Sequence, residues 1–154
     1  GAAGAASATG YAVLSDVAAK SAWAKLEDAE SNSSLAVRMT SRPLATLKAS
    51  NSTRTKISNS HSHDISTISD LGFGASTIFS NPENNDDASS HTAIIVDEIS
   101  KHLGSYVIER CPLNVKQGRD VFSDVGSSID LMRRIKAQYD PANTLNPGRF
   151  AGKI

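Results

Sequence analysis

The order of strand-like and helix-like segments between residues 35 and 111 restricts the fold of this chain more than any other feature. Leu35, Val37 and Met39 alternate with smaller or polar residues, and this period of two predicts a strand with one apolar face. The following segments continue as helix, strand, strand, helix, strand, which completes the split βαβ pattern of ferredoxin-like folds. We therefore expect an α+β sandwich, in which helices cover one face of a mostly antiparallel sheet and further helices flank it.

The first helix of this pattern is predicted to be short. It follows a turn at Pro43, covers residues 44–49 and would bury Leu44 and Leu47. Residues 50–63 are rich in Ser, Asn, Thr and Lys and offer little to pack, so they are predicted to form a mobile loop.

Three further strands complete the predicted sheet. Residues 65–71 and 75–80 are short segments joined by a Gly-Phe-Gly turn, in which glycine can supply the positive φ that a tight hairpin needs. Residues 106–111 are β-branched and aromatic, and Pro112 ends this last strand.

The second helix of the pattern is predicted over residues 90–103. Ser89 or Ser90 is its candidate N-cap, a polar loop at residues 81–87 precedes it, and Gly104 ends it. Three apolar residues spaced one turn apart fall on one side of this predicted helix: Ile95, Ile99 and Leu103.

Two helices are predicted outside this pattern. Residues 15–30 contain good helix formers, with Ser15 as N-cap, and residues 129–139 form the final helix. Residues 1–14 are predicted to be an Ala/Gly linker, which leaves residues 15–154 as one domain. The inward side of the final helix is predicted to carry Ile129, Met132, Ile135 and Tyr139. Its solvent side is predicted to carry Arg133, Arg134 and Lys136.

The charges of the chain balance, with 16 basic and 16 acidic residues, so no nucleic-acid partner is expected. No apolar run approaches the roughly 20 residues that cross a bilayer, so no direct membrane span is expected either. Cys111 is the only cysteine and ends an apolar strand, which predicts an inert, buried thiol and excludes an intramolecular disulfide. A cytoplasmic location is expected, with any membrane association made through partner subunits.

The histidines provide one weak candidate for a metal site. His61 and His63, next to Asp64, have ligand-like spacing, but their polar surroundings favour a solvated surface cluster, and no metal site is predicted. His91 is placed near a helix N-terminus and His102 on an exposed helix face.

Residues 131–150 are the most informative segment. A helix ends at Asp140, because the residue before Pro141 is driven out of the helical region of backbone space. An Asn-Pro-Gly turn at residues 146–148 then lets glycine pass close to another group and presents Arg149 at a fixed position.

This segment resembles the C-terminal signature of FAD-linked oxidases. Together with the Glu-Arg-Cys-Pro sequence at residues 109–112, it is most similar to the FAD-binding E subunit of glycolate oxidases. The resemblance implies the cap portion of a flavin-dependent 2-hydroxyacid oxidoreductase, which completes the FAD site of a separate flavin-binding domain. It further implies that Asn146 and Arg149 face the cofactor, where a cation would stabilise the negative charge of the reduced flavin.

The same resemblance implies that further oxidase subunits and a small 2-hydroxy acid are the partners of the intact enzyme. Residues 1–10 do not follow a strand and do not form a phosphate-binding loop, so the isolated chain is expected to bind FAD weakly and to be inactive.

Three alternatives remain open at the level of sequence. The chain can be a non-catalytic interaction subunit that kept the cap fold, or, less in keeping with the motif, a small-molecule sensor. The third alternative is that the segment around Asp140 and Arg149 only caps a helix and closes a hydrophobic core.

Overall fold

A computed structural model of the protein describes residues 14–60, 65–117 and 119–154. The chain divides into two compact units, Gly1–Ser33 and Ser34–Ile154. Most of the predicted linker, residues 1–13, lies outside the described residues.

Helix α1, Asp16–Asn32, is the described secondary structure of the first unit. Ser15 is its N-cap and accepts a hydrogen bond from the Ala18 N–H at 3.5 Å, as predicted. Lys20 pairs with Asp16 one turn away, at 3.0 Å on an exposed face. No residue of α1 is buried, so the helix is stabilised by local interactions rather than by a core of its own.

The second unit is built on a four-stranded antiparallel sheet. Its strands are β1 (Leu35–Thr40), β2 (Ile65–Asp70), β3 (Ala75–Ser80) and β4 (Ser105–Arg110), in the order β2-β3-β1-β4. This order and the alternation of strands with helices confirm the predicted ferredoxin-like split βαβ fold.

Helices α2, Pro43–Ser60, and α3, Asn85–Lys101, cover one face of this sheet. Val37 lies at the centre of that face, opposite Ile78 on one side and Ile108 on the other. Burial of each such side chain contributes about 1.5–3 kcal/mol. Among the described residues, the buried core comprises these apolar side chains of the sheet and the two helices: Leu35, Val37, Met39, Ala49, Ile57, Ile78, Ile95, Ile99 and Ile108.

The predicted loop at residues 50–63 is wrong up to Ser60, because α2 continues through it. Residues 61–63 lie outside the described residues. The Thr46 hydroxyl donates to the Gly74 carbonyl at 2.8 Å, and the Ser50 hydroxyl lies 3.2 Å from that of Ser76. Hydrogen bonds therefore let a Ser- and Thr-rich helix pack on the sheet without unsatisfied hydroxyls at these positions. The buried stripe of α2 is Thr46, Ala49, Ser50, Thr53 and Ile57, whereas Leu44 is exposed and Leu47 half-buried.

Helix α3 begins five residues before its predicted start, within the predicted loop at residues 81–87. Its N-cap is Asn84 rather than Ser89 or Ser90, and the Asn84 side-chain oxygen accepts from the Asp87 N–H at 2.9 Å. Asp86 and Asp87 also lie in the first turn, where a negative charge is favoured by the helix dipole.

The C-terminus of α3 is closed by Leu103 in a left-handed conformation, with φ of 54°. The Gly104 N–H donates to the Ile99 carbonyl at 3.0 Å, and the Leu103 N–H donates to Ser100, which together form a Schellman motif. Leu103 does not share the burial of Ile95 and Ile99, because its side chain is 92% exposed.

The remainder of the second unit extends from the β4 edge. A short helix α4, Leu113–Lys116, is followed by an extended segment in which the Ser123 N–H donates to Tyr106 at 3.0 Å and Val121 accepts from Ile108 at 2.7 Å. Helix α5, Ser128–Tyr139, confirms the predicted final helix. No helix among the described residues has the length and apolar character needed to cross a membrane.

Candidate functional site

The segment after α5, residues 140–150, forms a closing turn organised by Asp140. The Asp140 carboxylate is buried at the end of α5 and accepts hydrogen bonds from the backbone N–H groups of Thr144 at 2.8 Å and Leu145 at 2.9 Å. The Thr144 hydroxyl donates to it at 3.0 Å, and the Lys136 ammonium also donates to it. Lys136 also donates to the Leu145 carbonyl at 2.5 Å, so this lysine joins the first residue of the turn to its middle.

These contacts set the ionisation of Asp140. The Lys136 ammonium makes the largest contribution, and together with the Leu145 and Thr144 donors it outweighs burial and holds the pKa of Asp140 well below its usual range. A carboxylate with a lowered folded-state pKa contributes stability above its unfolded pKa and loses it as the pH falls. The closing turn is therefore fixed at neutral pH and weakens in acid.

The Asn-Pro-Gly turn follows directly. Asn146 has φ of 47° and Gly148 φ of 71°, and the Arg149 N–H donates to the Asn146 carbonyl at 3.2 Å. A Cβ at Gly148 would meet no heavy atom within 4 Å among the described residues. Glycine is thus required here by its backbone conformation, and the close approach to another group that the sequence predicted does not occur among the described residues.

A second carboxylate anchors the far end of the closing turn. Asp120 accepts from the Gly152 N–H at 2.6 Å and from the Phe122 N–H at 3.0 Å. The rings of Phe122 and Phe150 lie 5.3 Å apart between centroids, tilted by 55°. The turn is consequently held between α5 and the segment beside β4, which leaves Arg149 on the outer surface.

Arg149 and Asn146 border an open groove of about 580 Å³, which we call the apolar groove. Tyr139 is 77% exposed there, and Ile135 is exposed as well, so the prediction that these two residues point inward is wrong. No residue of α5 is buried, although the helix has a continuous apolar stripe. The other side chains lining the groove are Met132, Lys136, Asp140, Leu145, Phe150 and Ile154.

The structure therefore brings the two predicted cofactor-facing residues together on one open surface. Lys136, which was predicted to point to solvent, instead pairs with Asp140 in the lining of the groove. Asp120 and Asp140 were not predicted as anchors of the turn. The role of Asp140 could have been inferred from sequence, because Lys136 and Asp140 are four residues apart, the spacing of an ion pair along a helix.

The remaining candidates do not join this site. His61, His63 and Asp64 lie outside the described residues, and the described residues contain no group of three side chains suited to hold a metal. His91 is buried inside α3, where its ring lies 2.7 Å from the Ser80 hydroxyl, so its predicted place near a helix N-terminus is wrong. His102 is the half-buried C-cap of α3 rather than an exposed face residue.

The Cys111 thiol is half-buried at the end of β4. Burial raises its pKa, against smaller opposite effects of Lys116 and Arg119, so little thiolate is present at neutral pH. This agrees with the predicted inert thiol.

Comparison with known families matches residues 123–150 to the family model of FAD linked oxidases, C-terminal domain. The matched residues span α5 and the closing turn with Asn146 and Arg149. The similarity supports the flavin-linked oxidase assignment for this part of the chain. No similar curated protein and no similar solved structure was found.

Proposed function

We propose that this chain is the C-terminal cap portion of a flavin-dependent 2-hydroxyacid oxidoreductase of the glycolate type, which completes the FAD site of a separate flavin-binding domain. One observation carries the proposal: within the segment similar to FAD-linked oxidases, a closing turn fixed by Asp140 holds Arg149 and Asn146 at the rim of an open apolar groove.

The residues at this groove suit a flavin ring system. Tyr139 and Leu145 offer exposed apolar surface to a planar aromatic group, and Arg149 places a permanent positive charge beside it. The flavin, when bound, would accept hydride from the α-carbon of the hydroxy acid. Arg149 would stabilise the negative charge that then develops at the polar edge of the ring, and the Asp140 anchor would keep that charge in place.

The flavin-binding domain is the proposed partner of the exposed α5 face. Helix α5 has a strong apolar stripe but no buried residue. Exposed apolar faces of this kind are typically covered by a partner in a larger assembly. In the isolated chain this groove is open, so we expect FAD to bind weakly and no turnover to be measurable.

Co-expression with a flavin-binding half of an FAD-linked oxidase tests the proposal. The wild-type chain is expected to give a yellow complex whose visible absorbance bleaches anaerobically with glycolate or lactate. Arg149→Ala should slow this reduction by about 10²-fold, the typical effect of removing one charge-stabilising donor. Arg133→Ala is the matched control, because Arg133 is exposed, does not line the groove and pairs with Asp130 at 3.5 Å. An unchanged reduction rate in Arg149→Ala would contradict the role proposed for Arg149.

A non-catalytic interaction subunit is the second candidate, because the same exposed apolar face would also bind a protein without chemistry. In that case a complex would form, but it would retain no flavin through this chain, and Arg149→Ala and Arg133→Ala would behave alike. A bleachable flavin that depends on Arg149 excludes this candidate.

A further inference from the structure

We infer that a second cavity, which shares Arg149 and Phe150 with the apolar groove, is a binding site for a small phosphate-bearing anion. The cavity has a volume of about 400 Å³. We call it the basic cleft, and its lining residues are Lys116, Arg119, Asp120, Val121, Gly148, Arg149, Phe150 and Lys153.

The basic cleft has a large excess of positive charge, although the net charge of the chain is zero. Lys116 ends α4, Arg119 follows it, and Arg149 and Lys153 come from the C-terminal segment, so separate parts of the chain converge here. None of these four cations forms an ion pair with a carboxylate in the described part of the chain. Four positive charges that share one cavity repel each other, and a bound polyanion would relieve that repulsion.

Asp120 is the carboxylate of this lining, and its position does not neutralise the cations. One of its oxygens accepts from the Phe122 N–H at 3.0 Å and the other from the Gly152 N–H at 2.6 Å. It thereby serves as the backbone anchor of the C-terminal segment. The lining keeps a net charge of three, from four cations and one carboxylate.

The types of cationic side chain in the cleft, guanidinium and ammonium, indicate the class of ligand. Two arginines offer planar forks that match two oxygens of one phosphate, and two lysines add point charges around them. Arg119 is half-buried, which limits its conformational freedom before binding, whereas Lys116 and Lys153 are exposed and can close over a ligand. A volume of about 400 Å³ admits a small diphosphate group rather than a macromolecular surface.

Titration of the full chain with inorganic pyrophosphate, followed by calorimetry, tests this inference without any flavin. Saturable binding is expected, with inorganic phosphate binding more weakly because it carries fewer charges. Arg119→Gln is expected to raise the Kd for pyrophosphate about tenfold or more, as for a lost charge-assisted hydrogen bond. Arg134→Gln is the control, since it removes the same charge from an α5 position outside the cleft.

Thermal unfolding of each variant establishes that the fold is retained, and Lys116→Gln gives a second, exposed substitution if Arg119→Gln does not fold. Absence of saturable binding at millimolar pyrophosphate would overturn the inference, as would an equal loss of affinity in Arg134→Gln. Repeating the titration with the flavin complex separates two sources of the phosphate. Loss of pyrophosphate binding there indicates the diphosphate of the cofactor, and retained binding indicates a separate ligand.

Discussion

Replacement of Glu98 by Gln is predicted to destabilise the second unit in a pH-dependent way. Glu98 lies on α3 and is only 3% exposed. Its carboxylate accepts from the Lys56 ammonium of α2 at 2.5 Å and from Lys101 at 3.0 Å. Burial alone would raise the pKa of Glu98, but the hydrogen bonds from Lys56, Ser52 and Lys101 outweigh it and lower the pKa from 4.5 to about 2.

The size of the effect follows from this pKa. Each pH unit between the unfolded and folded values corresponds to about 1.4 kcal/mol, so the ionised Glu98 contributes on the order of 3 kcal/mol at neutral pH. Because the folded-state pKa is depressed, this contribution is complete above the unfolded value of 4.5 and is lost as the pH falls toward about 2. Glu98→Gln should remove it at pH 7 and flatten the acid limb of the stability curve.

Urea unfolding of the wild type and Glu98→Gln between pH 7 and pH 2 measures both consequences. Glu83→Gln, an exposed substitution before α3, is the control and should change stability by less than about 0.5 kcal/mol. A Glu98→Gln variant as stable as Glu83→Gln at pH 7, with an unchanged acid limb, would refute the reasoning. Lys56→Met removes the same contact from α2 and should raise the pKa of Glu98. If residues 50–60 formed the loop predicted from sequence, Lys56→Met would leave that pKa unchanged.

Two further changes have predictable outcomes. Leu103→Gly should stabilise the protein by about 1 kcal/mol in urea unfolding, because glycine relieves the left-handed strain and the lost side chain is exposed. Leu103→Ala, which keeps the strain, should leave stability unchanged, and equal effects of the two would contradict this explanation. Asp140→Asn should lower the hydrogen-exchange protection factors of the Thr144 and Leu145 amides at neutral pH, and the wild type should lose the same protection, relative to the intrinsic exchange rates, as Asp140 is protonated in acid. Unchanged exchange in Asp140→Asn would show that its carboxylate does not hold the closing turn.

The sheet was predictable because its buried side chains are large and alternate. The period-two alternation of Leu35, Val37 and Met39 is sufficient to predict a strand with one apolar face. Such a strand pairs with partners that have an apolar face of their own. The length of α2 was not predictable in this way. Its buried stripe includes Thr46 and Ser50, which pack because their hydroxyls pair with groups of the sheet, and no hydrophobicity pattern reveals such pairing.

The turn that presents Arg149 was predictable from the sequence, but the contacts that support this turn were not. The Asn-Pro-Gly-Arg sequence indicated a turn that presents Arg149, and the structure has that turn at the surface. The apolar stripe of α5 was also evident, yet a stripe shows only that a face is apolar and not what covers it. Asp120 was missed because its partner, the Gly152 N–H, is far away in sequence and belongs to the backbone.

The redox potential of the flavin in the co-expressed complex tests the central claim most directly. If Arg149 stabilises the negative charge of the reduced cofactor, Arg149→Ala should lower the midpoint potential by about 30 mV or more, since about 30 mV corresponds to a tenfold change for two electrons. Arg149→Lys should recover most of this shift, and Arg133→Ala should show none. A flavin that remains bound in Arg149→Ala with the wild-type potential would contradict the account.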